Sequence, residues 1–556
     1  MADIRNRIMP PLGALLLIQA AVGVTIASAV RSRGWDDGAI TLAFSRTFSD
    51  TGRIALSAAS ERVEGFSSPS WFLINAAIAR FNPGFSGAIF WSQIFTAACV
   101  GVTTVFVFLL AERLSLKRTT AVAIGLAFSV FGPALTEVAN GMEMALLSAS
   151  STALVYFVYY KRNLLAASIS SIVFINTRFE AIVYFNFIIF ALFCFRDRRT
   201  FLCLWFLGCG TFLAQEAVRY VVFSDFFPAT IHAKAHFPYS KSGFIGVASH
   251  LLSAFELPFV VLPLIVALAA PALFWRTARR ALLTTIVSRK RDILSLASPV
   301  IAMELFAILT GINLGYPGRM EFASFPFVFL IAGLLLEGLQ EAAKLSPRAL
   351  ILVVAMAAEV LFSWGLSARS TLADVIRSVQ ERPDVEGQGG ITPGFYRATG
   401  LAVDHLRGIL GLKSIAFMTA DVGGVGLCCS QIRVVDLGML TNARLAKSGY
   451  AAMPTILAQE RPDVIEIHSP WAKRSRLYDL AGFSQGYQAA VLDDTRLYVR
   501  NDLVQQLLAG GLARVCSPQG SMCSGQDLSR HRYTNNTDTT DDQIFLRSGK
   551  ILLVGR

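Results

Sequence analysis

Apolar residues run along this chain in long blocks separated by short polar segments, up to about residue 366. The blocks lie near residues 9–30, 86–111, 119–134, 143–160, 164–178, 181–195, 200–222, 249–275, 292–312, 322–340 and 349–366. A helix needs ~20 residues to cross a bilayer, so the pattern predicts about eleven crossings. The blocks at 164–178 and 181–195 are short and are expected to be tilted or re-entrant. After residue 366 the pattern changes to that of a water-soluble unit. Residues 413–426 read as a buried strand followed by a glycine turn. Residues 431–436 and 463–467 read as further strands, with a helix near 443–460 between them, which is α/β order. The expected organisation is a polytopic α-helical membrane module, 1–366, and a C-terminal α/β domain, 367–556.

Composition agrees. Of 556 residues, 54% are hydrophobic and 16% charged; a soluble chain carries about 25% charge. The net charge of +12 points to the bilayer and excludes no membrane reading, because the basic residues sit in alternate short loops. Arg5 and Arg7, Arg113 to Arg118, Lys161 and Arg162, Arg196 to Arg199, Arg276 to Arg291, and Lys344 with Arg348 share one side. The positive-inside rule makes that side cytoplasmic, and an odd number of spans then places the C-terminal domain outside. No nucleic-acid partner is expected. Residues 1–7 are basic and lead into apolar sequence through Val30, as in a signal peptide, but the run is long enough to span and reads as an uncleaved first helix. The eight cysteines form no ligand-spaced cluster. Cys99, Cys194, Cys203 and Cys209 read as small hydrophobes. Cys428 and Cys429 are adjacent in a strand-like run, and Cys516 and Cys523 are placed to pair if their surroundings are oxidising.

Nearly all unusual polar residues fall in the loops assigned to the outside. Asp36 and Asp37 follow the first span and precede Ile40, Ala43, Phe44, Thr47 and Phe48, which recur at helical spacing. This predicts an amphipathic helix in the membrane interface. One aspartate suffices to cap such a helix, so the second needs another explanation. Glu64-Gly65 and Ser68-Pro69 predict a tight turn. Residues 136–143 read as a short loop with two acids, Glu137 and Glu143. Residues 176–180 interrupt two apolar blocks with Arg178 and Glu180, either a structural ion pair or a pair facing a cavity. Residues 224–234 offer Asp225, His232 and Lys234, and residues 315–322 offer Arg319 and Glu321. Carboxylates and cations gathered at one face suit an anionic leaving group displaced by a nucleophile that needs a base.

The order of these segments resembles GT-C membrane glycosyltransferases. Asp36-Asp-Gly-Ala-Ile40 resembles their "DDAYI" signature on the first external loop, and Arg62-Val-Glu-Gly-Phe-Ser-Ser-Pro-Ser-Trp71 resembles "RVEGYTSPLW" of the arabinofuranosyltransferase branch of actinobacterial cell-wall assembly. Gly141-Met-Glu-Met-Ala145 resembles "GLETA", and Thr177-Arg-Phe-Glu180 resembles "TRPE" with Phe179 in place of proline. Residues 227–234 resemble "LPNTYYAK", with Ala229 and His232 as departures. Thr419-Ala-Asp-Val-Gly-Gly424 and Arg433-Val-Val-Asp-Leu-Gly438 resemble tail elements of the same branch.

The resemblance implies inverting transfer of a sugar, arabinofuranose by the nearest branch, from a polyprenyl-phosphate donor to an extracytoplasmic glycan, lipid or protein. It implies a multi-pass protein of the bacterial plasma membrane. Asp36 is the implied general base, and Asp37 orients it or the acceptor. Arg178, Lys234 and Arg319 are expected to neutralise the leaving phosphate. Glu64, Glu143, Glu180 and His232 are expected to bind substrate. No cofactor is required, although paired acids are also suitable oxygen ligands for Mg²⁺ or Mn²⁺. The rival reading is a transporter or flippase of a polyprenyl-linked or anionic lipid, but such proteins often carry internal repeats and place charges at mid-membrane; this chain shows neither. In the tail, the Gly423-Gly424-x-Gly426 run reads as loop geometry, and Asp421 and Asp436 read equally as glycan contacts or as caps.

Overall fold

The computed structural model describes residues 2–82, 84–194, 197–236, 276–310, 319, 322–343, 391–468, 471–492, 495–511, 513–516 and 551–554. The expected spans at 249–275 and 349–366, the expected domain boundary at 366, Glu321 and the proposed Cys516–Cys523 pair lie outside the described residues.

Each apolar block within the described residues is helical. The N-terminal half contains α1 (Ala2–Val30), α2 (Asp37–Thr51), α3 (Pro69–Phe81), α4 (Phe85–Arg113), α5 (Arg118–Ser129), α6 (Gly132–Asn140), α7 (Met144–Val155), α8 (Leu164–Ile175), α9 (Ala181–Cys194), α10 (Arg198–Phe223) and α11 (Ala229–His236). Among the described residues three helices are long and apolar enough to cross a membrane: Leu12–Arg33, α4 and α10. A fourth span arises if α5 and α6, bent by 42°, are counted together. The bend has a covalent cause. Pro133 sits in the first turn of α6, where it lacks an amide to continue the ladder of α5 and has its φ already set for a new start. α8, α9 and Phe325–Gly338 are apolar but shorter.

The core of this half gathers buried residues such as Val100, Phe108, Phe128, Phe131, Phe174, Phe185 and Phe325. Leu165, Phe190, Phe206, Leu213 and Val218 point outward and are exposed, which a hydrocarbon solvent tolerates and water does not. Hydroxyls inside the apolar helices return to the carbonyl one turn back, as Thr103 does to Cys99 and Thr104 to Val100, so these two hydroxyls are satisfied without water.

Two local expectations change. Residues 136–140, read as loop, complete α6, which ends at Gly141 with φ +62°; a left-handed terminus favours glycine. The helix after Asp37 forms, but its apolar face does not lie in the membrane interface. Ile40, Ala43 and Phe44 are buried with Phe417, Val425 and Val434 of the C-terminal domain. Phe44 also meets Phe66 edge-on at 5.4 Å.

The C-terminal domain is built on a mixed sheet of β1 (Ile415–Thr419), β2 (Ile432–Asp436), β3 (Val464–Ile465), β4 (Tyr487–Leu492), β5 (Thr495–Arg500), β6 (Ala513–Cys516) and β7 (Ile551–Val554). The order is β2-β1-β3-β5-β4-β7-β6. β1 pairs in parallel with both β2 and β3, and all five of its residues are buried. A strand covered on both faces needs an unbroken apolar run, which Ile415-Ala-Phe-Met418 supplies. The helix expected near 443–460 forms as Ala443–Ser448 and Met453–Glu460, joined by a 3₁₀ turn at Gly449–Ala452. Cys428 ends the helix Gly423–Cys428 rather than a strand, and is disulfide-bonded to Cys429.

Candidate functional site

Asp37 opens α2, and its Oδ2 lies 2.9 Å from Arg319. Arg319 also lies 3.6 Å from Oε1 of Glu143, at the start of α7. Glu143 in turn pairs with Arg178, whose Nε is 2.5 Å from Glu180. One continuous chain of ion pairs, Asp37–Arg319–Glu143–Arg178–Glu180, thus joins four segments that are far apart in sequence. Arg178, Glu143 and Glu180 are buried. Buried charges persist only when paired and hydrogen-bonded, and here each arginine has two carboxylate neighbours. The Arg178–Glu180 pair considered from sequence is therefore present, as one link of a larger network.

Lys234, on α11, is the exception. Among the described residues its ammonium has no hydrogen-bond or ion-pair partner, yet it lies within electrostatic reach of Arg178, Glu180, Arg319 and Glu143. Burial first, and the Arg178 charge second, hold its pKa down to about 8. An ammonium in that position gains most from an added anion.

Asp36 and Asp37 part company. Asp37 keeps a third of its side chain exposed. Asp36 is 1% exposed, and its two oxygens accept the backbone amides of Gly423 at 2.6 Å and Gly424 at 2.7 Å. It caps no turn of α2 with its side chain. Burial, then the nearby Asp421 charge, push the Asp36 carboxyl above its ordinary range, against the pull of the two amides. Asp421 is itself buried beside His468, with Nε2 3.1 Å from its Oδ2, and takes a hydrogen bond from Tyr396 at 3.2 Å. On its other side His468 meets Glu466 at 3.0 Å. Burial opposes charge on this imidazole, but Asp421 and Glu466 outweigh it and push the imidazole up to about 10.

The other expected substrate ligands are placed elsewhere. Glu64 is buried against Arg219 of α10, at 2.6 Å and 3.3 Å. Arg219 also pairs with Glu216, donates to the Phe226 carbonyl at 3.3 Å and stands over the Phe179 ring. His232 pairs with Asp225 at 3.1 Å, and Asp225 accepts Lys447 of the C-terminal domain at 2.7 Å. Neither Glu64 nor His232 joins the Asp37 network. Arg219 was not singled out from sequence, although a Glu216–Arg219 pair inside an apolar block is a signal, since intramembrane charge requires a partner. Among the described residues no three carboxylate, imidazole or thiol groups converge as metal ligands; the adjacent aspartates face different partners.

The arrangement can hold an anion beside Lys234 while a carboxylate at Asp37 stays within reach of water or a hydroxyl. No family model matches the chain, and no curated protein matches it in sequence. Among solved structures it is similar to ArnT from Cupriavidus metallidurans in the apo state, with a TM-score of 0.53 at 13% identity over 88% of this chain and 98% of that one. The likeness shows a shared fold over most of both chains. The structure of ArnT bound to undecaprenyl phosphate matches with a TM-score of 0.44, at 17% identity over 80% of this chain and 79% of that one. At 13% identity the likeness shows the fold, and it does not single out the arabinofuranosyltransferase branch.

Proposed function

We propose that this protein is a membrane glycosyltransferase that moves a sugar from a polyprenyl-phosphate donor to a hydroxyl acceptor outside the cytoplasm. The observation that carries the reading is the Asp37–Arg319–Glu143–Arg178–Glu180 network with Lys234, unpaired among the described residues, beside it. In the reaction the acceptor oxygen attacks the anomeric carbon, the bond from that carbon to the phosphate oxygen breaks, and the lipid phosphate leaves with the electron pair. Inversion follows from a single displacement. Lys234, with Arg178 and Arg319 behind it, stabilises the charge on the departing phosphate.

The acceptor proton needs a base. The motif resemblance implies Asp36, but Asp36 is enclosed and committed to two backbone amides. We assign the base to Asp37, which is partly exposed and borders the cation cluster. A general base must reach the proton it removes, and access supports Asp37 over its neighbour. Arabinofuranose as the sugar rests on the motif resemblance alone. The plasma membrane as location rests on the motif resemblance, and an outward-facing tail on the distribution of basic loops. Purified protein in detergent, given labelled polyprenyl-phosphate sugar and a glycan or lipid acceptor, is expected to form labelled glycoside without any membrane gradient. Gradient-dependent movement of the lipid with no glycoside formed would favour transport and defeat the assignment.

A further inference from the structure

One contact lies outside the ion network. Asp36 belongs to the membrane module, but both of its carboxylate oxygens are bound by the C-terminal domain. The approach of Asp36 is so close that glycine is required at position 423, and Gly424 is packed as tightly against its own domain. A Cβ on Gly423 would lie 2.3 Å from the Asp36 carbonyl oxygen, 2.9 Å from its Oδ2 and 2.9 Å from Ile40 N. A Cβ on Gly424 would lie 2.3 Å from the Pro393 oxygen. The Asp36 amide also donates to the Ile391 carbonyl, at 3.2 Å. From the membrane side, Trp35 N donates to Asn140 Oδ1 at 2.8 Å. Trp35 and Asp36, the two residues before Asp37, are therefore pinned, while the Asp37 side chain stays a third exposed beside Arg319.

The turn that supplies the amides is fixed in its own domain. Asp421, two residues before Gly423, is held by Tyr396 and His468, and His468 by Glu466. Glu466 accepts Thr419 Oγ1 across the β1–β3 pair at 2.7 Å. An aspartate on a connecting segment would otherwise sample several rotamers, and a 1 Å misplacement of a reacting group costs on the order of 10²-fold in rate.

We propose that the Asp421–Gly424 turn of the C-terminal domain is part of the transferase centre, with Gly423 and Gly424 as positioning residues whose amides clamp Asp36 so that Asp37 meets the acceptor hydroxyl. The proposal rests on the transferase reading above. Its consequence is a division of labour. Donor binding belongs to the membrane module, and turnover requires the docked tail.

The test uses the full-length protein in nanodiscs. Gly423→Ala is compared with Gly408→Ala, in the last turn of the helix Pro393–Ile409, where an added Cβ meets nothing within 4 Å. Gly423→Ala is expected to lower kcat by roughly 10–100-fold, with donor Kd unchanged and with Gly408→Ala at wild-type turnover. Asp36→Asn keeps the side-chain shape and turns one acceptor into a donor. It is expected to speed amide hydrogen exchange at residues 423–428 while residues 415–419 and 432–436 keep their protection. Wild-type turnover in Gly423→Ala overturns the proposal, and so does a loss of donor affinity that matches its loss of turnover. If Gly423→Ala does not fold, unchanged exchange at 423–428 in Asp36→Asn overturns it, and the local rise supports it. A wild-type protein that forms no glycoside defeats the transferase reading instead, and the exchange experiment still decides whether the clamp exists.

Discussion

Two buried ion clusters sit at the ends of the apolar helices, and they differ in what they leave open. In the Arg219 cluster a single guanidinium is consumed by Glu64, Glu216, the Phe226 carbonyl and the Phe179 ring. It joins the first external loop to α10 and has the makings of a strut. In the Asp37 cluster the carboxylates and arginines also neutralise one another, but Lys234 lacks a direct partner among the described residues and Asp37 keeps contact with solvent. Both clusters meet the requirement that buried charge be paired. The open positions, more than the number of charges, separate a site from a brace.

The sharpest way to break this comparison is at Asp37. Asp37→Asn removes basicity and keeps shape, so turnover is expected to fall by roughly 10²–10⁴-fold, with donor lipid still bound. A radiolabel transfer assay with saturating donor reads it directly. Full activity in Asp37→Asn would return the base to Asp36 or to Glu143.

The closed cluster predicts a different phenotype. Breaking a buried ion pair by removing one partner costs about 3–5 kcal/mol, because the other charge is left stranded. Arg219→Ala is therefore expected to lower the thermal unfolding midpoint, and Glu64→Gln to lower it less, since the amide oxygen still accepts from the guanidinium. Protein that remains folded should keep its donor Kd. Selective loss of donor affinity at an unchanged midpoint would move Arg219 from the brace to the site.

The open cluster predicts the converse. A hydrogen bond to a charged group contributes about 1.5–3 kcal/mol, equivalent to roughly 10–150-fold in affinity at about 1.4 kcal/mol per tenfold. Lys234→Ala should weaken donor binding within that range and leave both the midpoint and acceptor affinity unchanged. Isothermal titration with the donor in nanodiscs tests it; an unchanged donor Kd would place the phosphate elsewhere.

Much of this was legible in the residues. Hydrophobic blocks marked the helices, because a span must be apolar along its whole length, and β1 to β3 stood out as short apolar runs between turn residues. Asp37, Glu143, Arg178, Glu180, Lys234 and Arg319 stood out because charge beside apolar sequence needs a reason. Their partners were hidden. Nothing local to Glu64 indicates Arg219, 155 residues away, and nothing in the glycine run at 423–426 indicates that its amides reach Asp36, 387 residues away. For the same reason the apolar face of α2 read as membrane-seeking: a stripe of Ile40, Ala43 and Phe44 is the same stripe whether it meets lipid or the tail's core. Amphipathicity reports that a face is covered and leaves the cover unnamed.

The smallest expected effect is also the most diagnostic of Lys234. Its pKa of about 8 means that the ammonium is present below that pH and lost as pH rises through it. A polyprenyl-phosphate sugar is a phosphodiester with one negative charge that does not titrate in this range, so any change in attraction comes from the protein. Only the protonated lysine attracts the phosphate, and donor affinity should therefore fall between pH 7 and pH 9.5. The slope approaches tenfold per unit above the pKa and levels off at the affinity of the neutral side chain. Binding the donor favours the charged lysine and raises its pKa in the complex, by about one unit for each 1.36 kcal/mol of differential interaction. The onset and the plateau of the Kd profile thus report the free and bound values separately. Lys234→Ala should flatten the profile at the plateau affinity, and Lys234→Arg should flatten it at high affinity, since a guanidinium stays charged throughout. A profile with the same slope in wild type and Lys234→Ala would assign the titration to another group and remove Lys234 from the donor site.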